Sequence, residues 1–460
     1  MDQKSVKLNK VLSCSSFGEF MKRINEWYGE LPAFRNYEKS WTYHEIFNMT
    51  GKLIGYFVNS TANYIYMEID SPVYFCVSFF AAIIAGKVVV LHSLCQWEVE
   101  NSETMTDTKV TALLKDSKEY NFPEQRECSD LAVIAQSSGT TSFTKKVMLS
   151  QKNLLSDTVS GMQYYDYPKG AVYYNVLPYT HLFGLVADML GPLYSGGTIC
   201  FSSNKFNFFK DIYYFKPTHM NLPPAMVYTL EHMLKKTGSY EVSTGGRLKK
   251  IMCAGASLNE KNCEKLKDFG VMIFSAYGLT ECSPCISMNC DKFFREGSVG
   301  KVLTCCKVRL ENGEIIVKGD NVMLGYWNDF ESTQTIIHNG WLYTGDMGYM
   351  DADGFLYLTG RKSNLIVFED GKKLTPELLE ADIANIPGIK ECKIEKKIIE
   401  NRTKFNVIIV TDNTNQIEVL KKSVRNCIEK ISFLDRLHEI HISEYELPKS
   451  ELGKMIRRGE

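Results

Sequence analysis

At 460 residues the chain is long enough for about two or three domains with a large core. Its 53 Lys and Arg nearly balance 54 Asp and Glu, a net charge of −1 that points to neither a nucleic-acid partner nor a polybasic membrane arm. Tyr and Phe, 25 each, exclude a disordered chain, and 14 cysteines without a disulfide framework point to free thiols in a reducing, cytoplasmic protein.

In chain order, the charged N-terminus MDQKSVKLNK is followed by no apolar signal core. The apolar run Val73–Leu91 carries Lys87 and is broken at Ala85-Gly86, which predicts a buried helix to Ala85 and a strand Val88–Leu91, not a transmembrane span. Strand-like runs at 64–69, 131–136, 171–177, 197–201, 250–254 and 271–274 alternate with helical patterns, as in α/β layers with largely parallel sheets. Between 131–135 and 147–149 lies SSGTTSFTKKV, a loop of small and hydroxyl residues closed by Lys145 and Lys146, suited to cradling a polyphosphate. It lacks the GK[S/T] ending of a Walker loop, and a strand is expected after it. Cys282 and Cys285 form a CxxC and Cys305-Cys306 are adjacent, but no second CxxC or His pair completes a zinc set; they read as small buried side chains. From Gly297 to Tyr357 the texture turns to short strands with hairpin signals at Asn312-Gly313 and Asp353-Gly354, predicting a small antiparallel barrel or sheet. After Gly360 a helix with Thr375 as N-cap and Pro376 at its first position, strands 390–399 and 404–411, a helix 416–431 and a strand 437–444 make an α+β domain.

Five separated motifs then carry a resemblance. The loop at 137–147 is similar to the S/T-S-G-T-T-G-x-P-K-G-V phosphate signature of the AMP-forming adenylating superfamily, which holds acyl-CoA synthetases, nonribosomal adenylation domains and firefly luciferase. Ala276–Glu281 (AYGLTE) resembles its YGxTE motif and Tyr343–Asp346 (YTGD) its TGD motif. GRKSNLIVFEDGKKLTPELLE (360–380) resembles the hinge motif, with one extra residue before Gly371, and PKSELGKMIR (448–457) resembles the C-terminal PKTxxGKIxR. The style is nearest to acyl-CoA synthetases. The resemblance implies a large N-terminal domain, 1–360, of two layered α/β subdomains plus a small antiparallel β-barrel, and a small mobile α+β lid, 361–460.

The chemistry it implies is attack of a carboxylate on the α-phosphate of ATP, release of pyrophosphate, and transfer of the acyl group to a thiol. Charge accumulates at the phosphates, so fixed cations and donors carry most of the catalysis. By resemblance, Ser138, Gly139, Thr140, Thr141 and Lys145 hold the β- and γ-phosphates, Thr280 donates to the α-phosphate, and Glu281 holds Mg²⁺. Tyr277, in Ala276-Tyr277-Gly278, offers an aromatic face to adenine, and Gly255-Ala256-Ser257 forms the opposite wall. Asp346 accepts the ribose hydroxyls and Arg361 adds a donor. Lys454 touches the acid and the α-phosphate; Lys449, Arg457 and Arg458 beside it also fit a plain basic face. Gly371 lets the backbone pass close to a pantetheine arm.

The chain departs from the family pattern at Ser142, Thr144 and Lys146, where Gly, Pro and Gly are usual, and at the hinge, where Ser363 replaces Asp or Lys. Pro178–Gly184 (PYTHLFG) resembles a stretch in which His181 gates the acid pocket; Asp188, seven residues on, is the candidate for holding an α-ammonium if the acid were an amino acid. Three readings follow: an acyl-CoA-forming enzyme, favoured for a fatty or other acyl or aryl acid; an enzyme loading a carrier protein's phosphopantetheine; and a non-catalytic nucleotide-binding relative.

Overall fold

The computed structural model describes residues 14–91, 99–116, 120, 122, 128–137, 145–165, 168–202, 207–256, 258, 260–400, 402–412, 416–443, 445–448, 455 and 457. The chain divides into two compact units, one of residues 1–307 and 317–342, the other of 308–316 and 343–460.

The first unit is built on two mixed sheets. Six strands of the nine-stranded sheet run parallel at its centre: Met272–Tyr277, Lys250–Cys253, His219–Leu222, Val172–Tyr174, Thr198–Cys200 and Pro32–Arg35. In the six-stranded sheet, Leu131–Gln136, Val88–Leu91, Tyr64–Glu68 and Ser102–Thr106 are parallel, and Lys146–Ser150 and Gly325–Tyr326 close one side antiparallel. Parallel strands are covered on both faces, which is why they read as continuous apolar runs. Helix Pro72–Ile84 is almost wholly buried, with the Ser71 hydroxyl accepting from the Tyr74 N–H and Pro72 in its first turn. Gly86 (φ +81°) then turns the chain into Val88–Leu91, as the break in the apolar run predicts. Among the described residues no helix is long and apolar enough to cross a membrane.

In the second unit, Met350↔Leu356 to Asp346↔Arg361 pair antiparallel, with a bulge at Met347/Gly348. The three-stranded sheet sets Arg402–Val410 antiparallel to Glu391–Ile399 and parallel to Leu437–Ser443. Its core joins Phe405, Val407 and Ile409 to Leu379 and Ile383 from helix Pro376–Ala384 and to Val424 and Ile428 from helix Ile417–Lys430. Thr375 occupies the N-cap position as expected, but its hydroxyl makes no capping hydrogen bond.

Candidate active site

Strands Leu131–Gln136 and Lys146–Ser150 meet at Gln136↔Lys146, so SSGTTSFTKKV joins two antiparallel strands, unlike a Walker loop. The Ser137 N–H donates to the Lys145 carbonyl (2.8 Å) and the Lys145 N–H to Ser137 Oγ (3.2 Å), closing the base of the loop. Ser138, Gly139, Thr140, Thr141, Ser142 and Thr144 lie outside the described residues. The Lys145 ammonium lies 4.6 Å from the centroid of the Tyr326 ring. Lys146 begins the second strand, and burial lowers its pKa.

Strands Lys250–Cys253 and Met272–Tyr277 are adjacent and parallel, with Cys253 opposite Ser275. Gly255-Ala256 and Ala276-Tyr277-Gly278 therefore stand together at the carboxyl ends of neighbouring strands, where open α/β sheets take ligands. Ser257 lies outside the described residues. Tyr277 is 6 % exposed. A Cβ on Gly278 would fall 1.8 Å from the Pro284 carbonyl oxygen, so only glycine fits this turn. Thr280–Cys282 form a 3₁₀ turn. There the Tyr326 hydroxyl donates to Glu281 Oε1 (2.8 Å) and the Met323 N–H to the Glu281 carbonyl (2.9 Å). Glu281 Oε2 has no hydrogen-bond partner among the described residues. Cys282 is fully buried, which pushes its thiol pKa up, as for an inert core cysteine.

His181 is half-buried at the head of a helical segment: its N–H donates to the Pro178 carbonyl (3.1 Å) and its carbonyl accepts from Leu185 (2.9 Å). A Cβ on Gly184 would sit 2.3 Å from the Pro178 oxygen, which explains the glycine of PYTHLFG. The next turn, Gly184–Leu190, is π-helical, a distortion often found at functional sites. Asp188 sits in it, 1 % exposed. Oδ1 accepts from Asn221 Nδ2 (2.7 Å), and Oδ2 from Asn175 Nδ2 (3.2 Å) and the Val176 and Leu177 N–H groups (3.3 and 3.2 Å). Burial still pushes its pKa up to about 6. Both oxygens are committed to the strand ends, so Asp188 holds the backbone beside His181 and is not presented to an α-ammonium. Asn221 was missed in the sequence; a lone amide inside the strand HMNL was the available signal.

In the second unit, Asp346 and Arg361 face each other across the antiparallel pair, with Arg361 Nε 2.6 Å from Asp346 Oδ1. The Thr344 hydroxyl fixes the Asp346 N–H (3.0 Å) and itself donates to the Ile315 carbonyl (2.7 Å). Arg361 is thus the carboxylate's ion-pair partner. Ser363 is exposed in the 3₁₀ turn Lys362–Asn364. Gly371 takes φ +80° in a turn where an added Cβ would meet nothing within 4 Å, so its need is conformational. Lys454 lies outside the described residues. Arg457 is not on a solvated basic face: Nη1 donates to the Ile394 carbonyl (3.1 Å) and Nη2 pairs with Glu380.

Residues 64–327 match the family model of the AMP-binding enzymes. A long-chain-fatty-acid–CoA ligase of Bacillus subtilis is 29 % identical over 360 residues, covering 72 % of this chain and 61 % of its own length. A 2-succinylbenzoate–CoA ligase of Bacillus mycoides is 27 % identical over 391 residues, covering 81 % of this chain and 78 % of its own length. This chain thus spans less than two thirds of the first of these relatives. Among solved structures, O-succinylbenzoate coenzyme A synthetase of Bacillus subtilis in complex with AMP superposes with a TM-score of 0.80 at 21 % identity, over 95 % of this chain and 97 % of that one. ATP-bound MatB of Rhodopseudomonas palustris gives 0.83 at 20 % identity, over 96 % and 97 %. The motifs, the fold and the family match agree: the chain belongs to the AMP-binding enzymes of the AMP-forming adenylating superfamily.

Proposed function

We propose that this chain is an AMP-forming acid–thiol ligase: it activates a fatty or other acyl or aryl acid with ATP and passes the acyl group to CoA. The observation that carries the reading is the convergence of AYGLTE and Gly255-Ala256 at adjacent carboxyl ends of parallel strands, with Glu281 and Lys145 gathered on Tyr326. The relatives' names support CoA as acceptor and span acyl and aryl acids.

In the first half-reaction a carboxylate oxygen of the acid bonds to the α-phosphorus of ATP, and the bond to the bridging oxygen breaks with its electron pair leaving on pyrophosphate. Lys145 and the loop hydroxyls of Ser138, Thr140 and Thr141 hold the β- and γ-phosphates; the backbone at Gly139 lets them approach. Thr280 donates to the α-phosphate. Tyr277 faces adenine across from the Gly255-Ala256-Ser257 wall. Asp346, oriented by Arg361, accepts the ribose hydroxyls. Lys454 bridges the acid and the α-phosphate, and His181 gates the acid pocket. Among the described residues no group of three His, Cys, Asp or Glu could hold a metal by itself. That fits Mg²⁺, which takes one or two carboxylates plus substrate phosphates, and Glu281 Oε2 is the available oxygen. When bound, Mg²⁺ supplies charge neutralisation on the phosphates. In the second half-reaction the thiol sulfur attacks the acyl carbon and AMP leaves; the segment 361–460, hinged at Ser363, turns for it, and Gly371 admits the pantetheine arm. Free thiols fit a reducing cytoplasm.

Pyrophosphate exchange over a panel of acids, followed by CoA transfer, tests this. Exchange with a fatty or aryl acid and product on CoA supports the reading. Product only on a carrier protein selects the carrier-loading alternative, and nucleotide binding without exchange for any acid selects the non-catalytic one.

A further inference from the structure

We propose that Tyr326 is the positioning residue of the phosphate–metal site: its hydroxyl orients Glu281 and its ring face seats the Lys145 ammonium. The inference rests on the ligase reading and names a residue that none of the five motifs contains. Tyr326 is 7 % exposed and lies in a two-residue strand, Gly325–Tyr326, on the edge beside the loop. Tyr326 registers on Val147, two residues beyond Lys145, and the flanking Leu324 and Trp327 N–H groups donate to the Met148 and Lys146 carbonyls (2.9 and 2.8 Å). The Tyr326 N–H donates to Thr333 Oγ1 (2.9 Å) from helix Phe330–Ile336. On the other flank Met323 is tied to the Glu281 carbonyl (2.9 Å). The segment 323–327 therefore stitches the loop's second strand to the Thr280–Cys282 turn, and its one inward aromatic touches the key group of each.

The arrangement keeps two opposite charges close without letting them cancel. Among the described residues no ion pair joins Lys145 to Glu281; Lys145 rests on the π-face at 4.6 Å while Glu281 Oε1 accepts from the hydroxyl at 2.8 Å. A direct pair would have to break before either group could meet a phosphate or a cation. With the ring as spacer, the ammonium and Glu281 Oε2 stay available and their side chains are already ordered, which lowers the entropic cost of binding.

Calorimetric titration with ATP, without acid, reads affinity in the absence of turnover. Tyr326→Phe keeps the ring and removes the donor to Glu281. The Mg²⁺ concentration for half-maximal enhancement of ATP binding should rise about tenfold, as for loss of one hydrogen bond to a charged group, with affinity in EDTA unchanged. Tyr326→Leu removes the ring as well and should weaken binding in EDTA about threefold or more. In a Glu281→Gln background the Tyr326→Phe shift should fall below about twofold, because the partner is gone. Wild-type Mg²⁺ dependence in Tyr326→Phe, or an equal shift with and without Glu281, overturns the proposal and leaves the ligase reading standing. A wild-type protein that binds no ATP at any Mg²⁺ concentration overturns both.

Discussion

Replacing Arg457 by Met tests how the C-terminal motif is tied to its own domain. The guanidinium meets Glu380, which also accepts from the Ile394 N–H (2.6 Å), and it donates to the Ile394 carbonyl (3.1 Å). The side chains are 18 % and 11 % exposed, so the pair is largely desolvated. Losing one partner of a buried pair costs about 3–5 kcal/mol; here the retained Ile394 N–H and the option of protonation bring the expected cost to about 2–4 kcal/mol near neutral pH. Burial already holds the Glu380 pKa above its ordinary value, with Arg457 the largest opposing influence. Removing Arg457 raises it further. A carboxyl whose folded pKa is raised favours the protonated folded state, so its contribution is intact below the ordinary value and is lost as pH climbs towards the raised one. The variant should therefore lose more stability at pH 7.5 than at pH 5. Amide exchange in strand Glu391–Ile399, corrected for intrinsic rate, should quicken about 30- to 1,000-fold at the higher pH, the exponential of that cost over RT. Glu380→Gln in the same molecule should recover at least half of the loss. Equal acceleration at both pH values with no rescue would refute the reasoning.

Lys454→Ala should abolish acid-dependent pyrophosphate exchange yet retain thiol transfer from supplied acyl-AMP; undiminished exchange sinks its assignment. Asp346→Asn should raise the KM for ATP at least about tenfold through loss of a charged acceptor, with a small change in Tm because Arg361 is partly exposed; an unchanged KM removes Asp346 from the ribose site. Asp188 is held at about 6, above its ordinary value, so stability should fall as pH rises from about 4 through 6, and urea unfolding of Asp188→Asn should gain on wild type across that window by up to about 3 kcal/mol. A pH-independent difference would assign the Asp188 effect to packing alone. Lys146→Gly should change the KM for ATP; an unaltered value would remove Lys146 from the phosphate environment.

The fold was legible wherever one local rule governed the chain. Short apolar runs flanked by turn residues read as sandwiched strands, and the Ser71-Pro72 cap with the Gly86 turn set the ends of a buried helix that would otherwise pass for a membrane segment. AYGLTE and YTGD were legible because their glycines answer local geometry: Gly278 faces the Pro284 oxygen, and Gly345 turns at φ +71°. Tyr326, Asn221 and the Arg457–Glu380 pair were not, because each gains its role from a partner between 33 and 77 residues away. A tyrosine in VMLGYWND carries no mark of the carboxylate it meets. Asp188 misled for the same reason: its spacing from His181 is visible in the sequence, but the four N–H donors around it converge only in the fold.

The same distinction bears on the loop's departures from the family pattern. A glycine replaced by lysine at 146 looks like a backbone change when only the motif is in view. Lys146 instead occupies an ordinary strand position, paired with Gln136, without a positive φ, its carbonyl accepting from Trp327. No conformational reason demands glycine there, and a glycine in this strand would cost about 0.5–1 kcal/mol in backbone entropy. What the substitution alters is charge. Burial lowers the Lys146 pKa below its ordinary value, and the Lys146→Gly comparison of the KM for ATP tests whether this charge acts on the nucleotide.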